Sequence, residues 1–113
     1  LVPAMIWHFT DLGKFHEEVC RFAANTVAWK MHLLTSDKSE LEKALAIVQK
    51  GVDHIQREEH YYIYDTQVRI LLKLERKEEA YQIVKRILAL SPNFGDFQDI
   101  KQGTDYNNWV AKK

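Results

Sequence analysis

The sequence predicts an all-α fold, an array of antiparallel helix pairs stacked as an α–α superhelix. Three observations lead there. Apolar residues recur at three- and four-residue steps through successive segments, the period of a helix with one buried stripe. No segment alternates apolar and polar residues for more than a few positions, so nothing reads as a strand. LEKALAIVQKGV (Leu41 to Val52) also lies over KEEAYQIVKRIL (Lys77 to Leu88) at an offset of 36 residues, matching Ala44 to Ala80, Ile47 to Ile83 and Val48 to Val84.

The first helix is expected from about Asp11 to Leu34, with room for one break. Phe15, Val19, Phe22, Val27 and Leu34 form its apparent stripe, and Thr10 or Asp11 can cap it. A polar loop follows at Thr35-Ser36-Asp37-Lys38. Ser39 with Glu42 three residues on then reads as a capping box opening a second helix, about Glu40 to Arg57. That helix carries Leu41, Ala44, Leu45, Val48, Val52 and Ile55 on one face. A third helix starts near His60 with Tyr61, Tyr64, Val68, Leu71 and Leu72. The fourth, about Lys77 to Leu90, presents Ala80, Ile83, Val84, Ile87 and Leu88. Ser91-Pro92 ends it, because proline cannot continue a helix and biases its predecessor away from helical angles. Beyond Phe94, Phe97 and Ile100 are candidates for one further turn, and Asp105 for the cap of a short helix with Tyr106, Trp109 and Val110. The chain thus divides into an apolar N-terminal segment (1–10), a helical domain (11–94) and a C-terminal capping segment (95–113).

With 113 residues, 46% of them apolar and 28% charged, the chain is expected to be one folded domain with a modest core. The 16 basic and 16 acidic residues cancel, leaving no electrostatic footprint for nucleic acid and no polybasic patch for a membrane surface. No apolar run approaches the roughly 18 residues of a membrane span. The single cysteine, Cys20, has no internal disulfide partner, which leaves the compartment undecided, bacterial cytoplasm and periplasm alike. LVPAMIWHF is too short for a signal peptide and has no basic leader. The chain does not begin with Met, and it is expected to be part of a larger polypeptide or to start with a few vector residues.

Tyr61 to Phe94 forms a helix–turn–helix unit of 34 residues. It resembles one tetratricopeptide repeat, most clearly at Leu74-Glu75-Arg76-Lys77-Glu78-Glu79-Ala80, in the alanine-bearing second helix, and at Leu90-Ser91-Pro92-Asn93. Ala28-Trp29 followed by Leu41-Glu42-Lys43-Ala44-Leu45 looks like a more divergent first copy. Val27-Ala28 aligns with Gln67-Val68 once the first pair is given a loop about four residues longer. The match covers roughly Arg21 to Phe94. Tyr64-Asp65-Thr66 adds a fainter resemblance to helical-repeat segments beside thioredoxin-like domains in some bacterial exported proteins. The family pattern is broken at Glu75, where the turn usually has Gly, at Val68, where a small residue is usual, and at Ile87, where Ala is usual although Gly51 keeps that position small in the first copy. These departures predict looser or shifted packing in the second unit.

Residue types that carry chemistry are sparse. The histidines (His8, His16, His32, His54, His60) form no HExxH, and His54 and His60 are six apart on different faces, so no metal is expected and solvated histidines are the plain reading. Glu58-Glu59 and Glu78-Glu79 are adjacent, about 100° apart on a helix, and do not converge on a substrate. First-turn placement next to the positive end of the helix dipole accounts for Glu78 and Glu79. Arg21 beside Cys20 could lower the thiol pKa, yet a lone cysteine is more often a small buried hydrophobe. There is no nucleophile elbow, phosphate loop or dinucleotide fingerprint.

The repeat resemblance implies a ligand surface on the concave face of the first helices of each pair. Carried over, that face holds Asn25, Trp29 and Leu33 from the first unit and Tyr62, Asp65, Arg69 and Lys73 from the second. Aromatic residues there would anchor a peptide, and charges would set its register. The plain alternative is that Trp29 is core and that Asp65 and Arg69, at i and i+4, are a solvated pair. The basic–Asn–basic clamp of family members that grip a terminal carboxylate is not matched, since Asp65 opposes it. The expectation is therefore a non-catalytic protein–protein interaction or scaffolding module of a larger protein, without a cofactor, nucleic acid or membrane partner. Its partner would be a protein or peptide segment, with self-association left open. The rival is an accessory domain packed against a thioredoxin-like or other catalytic neighbour in the same chain.

Overall fold

The computed structural model describes the backbone of residues 2–112 and side chains from His16 to Lys112. Among the described residues six helices follow in order: α1 (Val2–Leu34), α2 (Lys38–Val52), α3 (Tyr62–Lys73), α4 (Lys77–Leu90), α5 (Gln98–Lys101) and α6 (Thr104–Ala111). One-turn 3-10 segments at Glu58–His60 and Gly95–Phe97 precede α3 and α5. No strand occurs among the described residues, so the all-α class with paired helices stands.

Polar contacts fix how the helices run. Thr66 Oγ donates to Asn25 Oδ1 at 2.5 Å, and Lys73 Nζ donates to the His32 carbonyl, so α3 lies beside α1 in the same direction. Arg76 at the head of α4 bonds Glu42 in the first turns of α2, so the second helices of the two pairs start close to each other. Within each pair the chain reverses through a short turn. The α1–α2 core gathers Ala28, Ala44, Val48, Ile63 and Ile70; the α3–α4 core gathers Val68, Leu71, Ala80, Tyr81, Val84 and Ile87 with Phe97, Ile100 and Tyr106. Ala44 and Ala80 are both fully buried, each with the partner helix of its own pair, as the 36-residue alignment requires. Val68 and Ile87 are also completely enclosed, so the loosening expected from these bulkier residues is not seen in their burial.

The turn between α3 and α4 explains the missing glycine. Glu75 N–H donates to the Leu72 carbonyl at 3.0 Å and Arg76 N–H to the Leu71 carbonyl at 2.9 Å. This is the two-bond Schellman closure of a helix end, whose residue after the cap must be left-handed. Glu75 holds that position at φ 62°, a conformation that glycine adopts without steric cost.

Several expectations are corrected. The largest concerns α1, which runs unbroken from Val2, so Thr10 and Asp11 lie inside the helix rather than at its start. Pro3 falls in its first turn, where the missing N–H has no intrahelical acceptor to lose. The α1 stripe also faces the other way. Val19, Phe22, Val27 and Leu34 are exposed, while Arg21, Ala24, Ala28 and His32 are buried; Phe15 lies outside the described side chains. The reason is close approach: a Cβ on Gly51 would stand 3.3 Å from Ala24 Cβ and 3.3 Å from Ile63 Cγ2, so α1 meets α2 through its small residues. The second helix opens two residues earlier than the predicted capping box. Its cap is Asp37, not Ser39, and the Asp37 carboxylate accepts from Glu40 N–H at 3.0 Å. That helix closes at Val52 rather than Arg57, although Ile55 still packs on the α1–α2 core from the loop.

Side chains between 97 and 110 pack on the α3–α4 core. Phe97 is fully buried and Ile100 and Tyr106 nearly so, with Trp109 against the same cluster. Arg69 ties this segment to α3. At the other end of the array, Val19 does not cover the first pair but stands open to solvent.

Candidate functional site: the α1–α3 face

The seven residues singled out from the sequence lie on two adjacent helices, but they do not form one open surface. On α3, Arg69 is spent within the fold. Its Nε donates to Asp65 at 2.9 Å, Nη1 to Asp99 at 2.8 Å, and Nη2 to Asp99 at 2.9 Å and to the Asp96 carbonyl at 2.7 Å. This bidentate grip on Asp99 holds the guanidinium pKa above its usual range, and Asp99 is lowered in turn by the same hydrogen bonds. Asp65 shifts upward instead, because its burial outweighs the attraction of Arg69. Lys73 is engaged by the His32 carbonyl and Asn25 by Thr66. Four of the seven polar and apolar candidates thus join α1, α3 and the capping segment to one another, a use that residue spacing alone does not distinguish from ligand binding.

Three remain on offer. Leu33 is 61% exposed. Trp29 is half-buried, its ring 4.5 Å from that of His32, whose Nδ1 in turn lies 2.6 Å from the Trp29 carbonyl. Tyr62 is half-buried at the start of α3, where it borders a groove of about 480 Å³ between α1 and the α2–α3 connection. Val19 and Phe22 of α1 line this groove, with Glu18 and Glu59 on its rim and His60 behind it.

Phe22, at 67% exposure, is the most prominent apolar group of the groove. Its place in an apolar series at three- to five-residue steps predicts a core position. The small residues Ala24 and Ala28, one turn apart and matched by Gly51, were the signal that the opposite face is the buried one. Behind Phe22, Arg21 is buried and donates to the His54 carbonyl at 3.0 Å, pinning α1 to the loop that carries the groove's other wall. His60 Nδ1 accepts from Gln56 N–H at 3.2 Å. Burial, then Arg21 and Arg57, lower the His60 pKa, against smaller opposing effects of Glu59 and Glu18.

The remaining chemistry-bearing residues do not converge. Cys20 Sγ lies 3.6 Å from His16 Nε2 and is half-buried. Among the described residues no group of three His, Cys, Asp or Glu side chains is placed to hold a metal ion, and no helix is long and apolar enough to cross a membrane. A comparison of the chain with models of known families matches none, and comparisons with curated proteins and with solved structures find no significant match.

Proposed function

We propose that this chain is a non-catalytic protein–protein interaction or scaffolding module of the tetratricopeptide-like kind, which takes a partner segment on the α1–α3 face. The observation that carries this reading is the groove lined by Val19, Phe22 and Tyr62. It combines an apolar floor with a polar rim, the arrangement in which a few aromatic anchors supply most of an interface's energy. The binding surface then lies toward the N-terminal part of α3, near Tyr62, rather than along the whole band, since Arg69, Asp65 and Lys73 are engaged internally. Glu18 on the rim, beside a Glu59 that is paired with Arg57 at 2.9 Å, favours a segment with a basic residue flanking an apolar anchor. The alternative, an accessory domain docked on a catalytic neighbour, draws on the exposure of Leu33 and Leu34 at the end of α1.

Selection from a displayed peptide library on the immobilised chain tests the first reading. Enriched peptides should carry a large apolar residue beside Lys or Arg. Phe22→Ala, at an exposed position, should weaken them by about 2 kcal/mol with the fold intact, and Tyr62→Ala, whose ring also packs on the α1–α2 core, should do the same with its melting temperature read alongside. Peptides that bind both variants as tightly as the parent chain would place the interaction elsewhere.

A further inference from the structure

We infer that the groove between α2 and α4 is a second peptide site, which takes an extended segment with an acidic side chain at one end, an apolar residue in the middle and a basic side chain at the other. It shares no residue with the α1–α3 groove, so either site can stand without the other.

The floor of this groove holds a buried polar group whose direction is fixed. Gln67 of α3 is 7% exposed. Its Nε2 donates to Gln49 Oε1 at 2.9 Å, and Gln49 Nε2 donates to Asp53 Oδ1 at 3.0 Å. A carboxylate only accepts, so Asp53 sets the orientation of both amides and turns the Gln67 carbonyl oxygen away from Gln49. That oxygen meets no donor among the described residues. No buried side-chain oxygen or nitrogen there is left without a partner, so Gln67 Oε1 opens on the cavity of about 440 Å³ that the residue lines. A backbone N–H of an extended peptide completes such an acceptor. Leu45 and Ile83 flank it, half-buried, with Leu71 beneath, and offer apolar contact to one side chain.

The charges along the groove select the flanking residues. At the head of α4, Arg76 is shared by two carboxylates, Glu79 through Nε and Nη2 and Glu42 through Nη1, so that end carries net negative charge. Arg86 stands at the other end and makes no ion pair among the described residues. Its guanidinium lies over the Tyr64 ring, 5.4 Å from the centroid, which holds it in place and leaves its hydrogen-bond donors unused. The ten positions from Arg76 to Arg86 rise about 15 Å along a helix, a distance that an extended chain covers in about four or five residues. A carboxylate at that separation from a Lys or Arg therefore meets Arg86 while the cation meets Glu42 and Glu79. Opposite charge at the two ends fixes which way the segment lies along α4.

Selection of displayed random peptides on the immobilised Phe22→Ala chain, whose first groove is weakened, reads the outcome. Enriched peptides should carry Asp or Glu about four or five residues from Lys or Arg, with an apolar residue between. One such peptide, made synthetically, should bind Arg86→Ala at least about tenfold more weakly than the parent chain. Arg86 is exposed and outside the core, so its removal should leave the circular dichroism spectrum unchanged. Replacing the peptide's acid by its amide should cost as much on the parent chain and little on Arg86→Ala, a comparison that leaves the protein's fold untouched. Methylating the peptide's backbone nitrogens one at a time should find one position that matters on the parent chain and not on Gln67→Met. A selection that enriches no acidic peptide, or peptides that bind Arg86→Ala as tightly as the parent, would overturn the inference. So would a methylation pattern that Gln67→Met does not change. A chain that dimerises through this groove, with Arg86→Glu restoring the monomer, would assign it to a second copy and overturn the peptide site as well. Loss of the α1–α3 reading, by peptides indifferent to Phe22→Ala and Tyr62→Ala, would not bear on any of these results.

Discussion

Replacing Glu75 with glycine should stabilise the protein, although it removes a side chain and adds freedom to the unfolded chain. Glu75 is held at φ 62° by the two hydrogen bonds that close α3, and its side chain is exposed. A residue with a Cβ in the left-handed region costs roughly 1–2 kcal/mol relative to glycine. The added backbone entropy of glycine in the unfolded state returns about 0.4–1 kcal/mol of that. The expected net gain is about 0.5–1 kcal/mol, or a rise in Tm of roughly 2–6 °C for a domain of this size. Thermal unfolding followed by circular dichroism measures it directly. Glu75→Ala is the control: it removes the carboxylate but keeps the Cβ, and should melt close to the parent. A Glu75→Gly chain that melts no higher than Glu75→Ala would show that the turn is not strained, and the Schellman explanation of the glutamate would fail.

Other expectations follow from the same packing. Ala44→Leu and Ala80→Leu should each cost about 1–3 kcal/mol by overpacking equivalent contacts, read as denaturant midpoints; unchanged midpoints in both would refute the 36-residue register. Phe97→Ala should cost about 3–5 kcal/mol, because the ring is fully buried beneath α3 and α4, and an unaltered melting temperature would mean that the capping segment is dispensable. His60, whose pKa is lowered in the fold, binds fewer protons there than in the unfolded chain between its folded pKa and about 6.5. Its contribution is thus complete above about pH 6.5 and is lost as pH falls through the folded value. The melting temperature should drop between pH 7.5 and pH 5.5 by less in His60→Asn than in the parent, and equal drops would assign the acid sensitivity to other groups.

How far the chain could be read depended on how local each determinant is. The second pair was legible almost to the residue. Ala80, Val84 and Ile87 sit one turn apart, and Ser91-Pro92 imposes a stop, so periodicity and proline geometry suffice without knowledge of neighbours. The alignment of Ala44 with Ala80 was legible for the same reason, since a small residue at a fixed place in a stripe marks close helix contact wherever it recurs. Caps were less so. Asp37 and Ser39 are both good caps by type, and the choice between them is made by where the chain leaves α1 rather than by either side chain.

The buried face of α1 was not legible, because two series run along that helix. One is large and apolar, through Val19, Phe22 and Leu33; the other is small, through Ala24 and Ala28. Hydrophobicity favours burying the first, and only the approach of Gly51 and Ile63 shows that the second is enclosed. The polar candidates were ambiguous in the same way. An arginine at ligand spacing and an arginine gripping Asp99, thirty residues away, are identical in sequence. Helix class and the pairing of helices are properties of local period, and the amino-acid sequence determined them by itself. Which side of α1 faces water, and which charges are already satisfied, depend on contacts between residues far apart in the chain, and those were decided only when the helices packed.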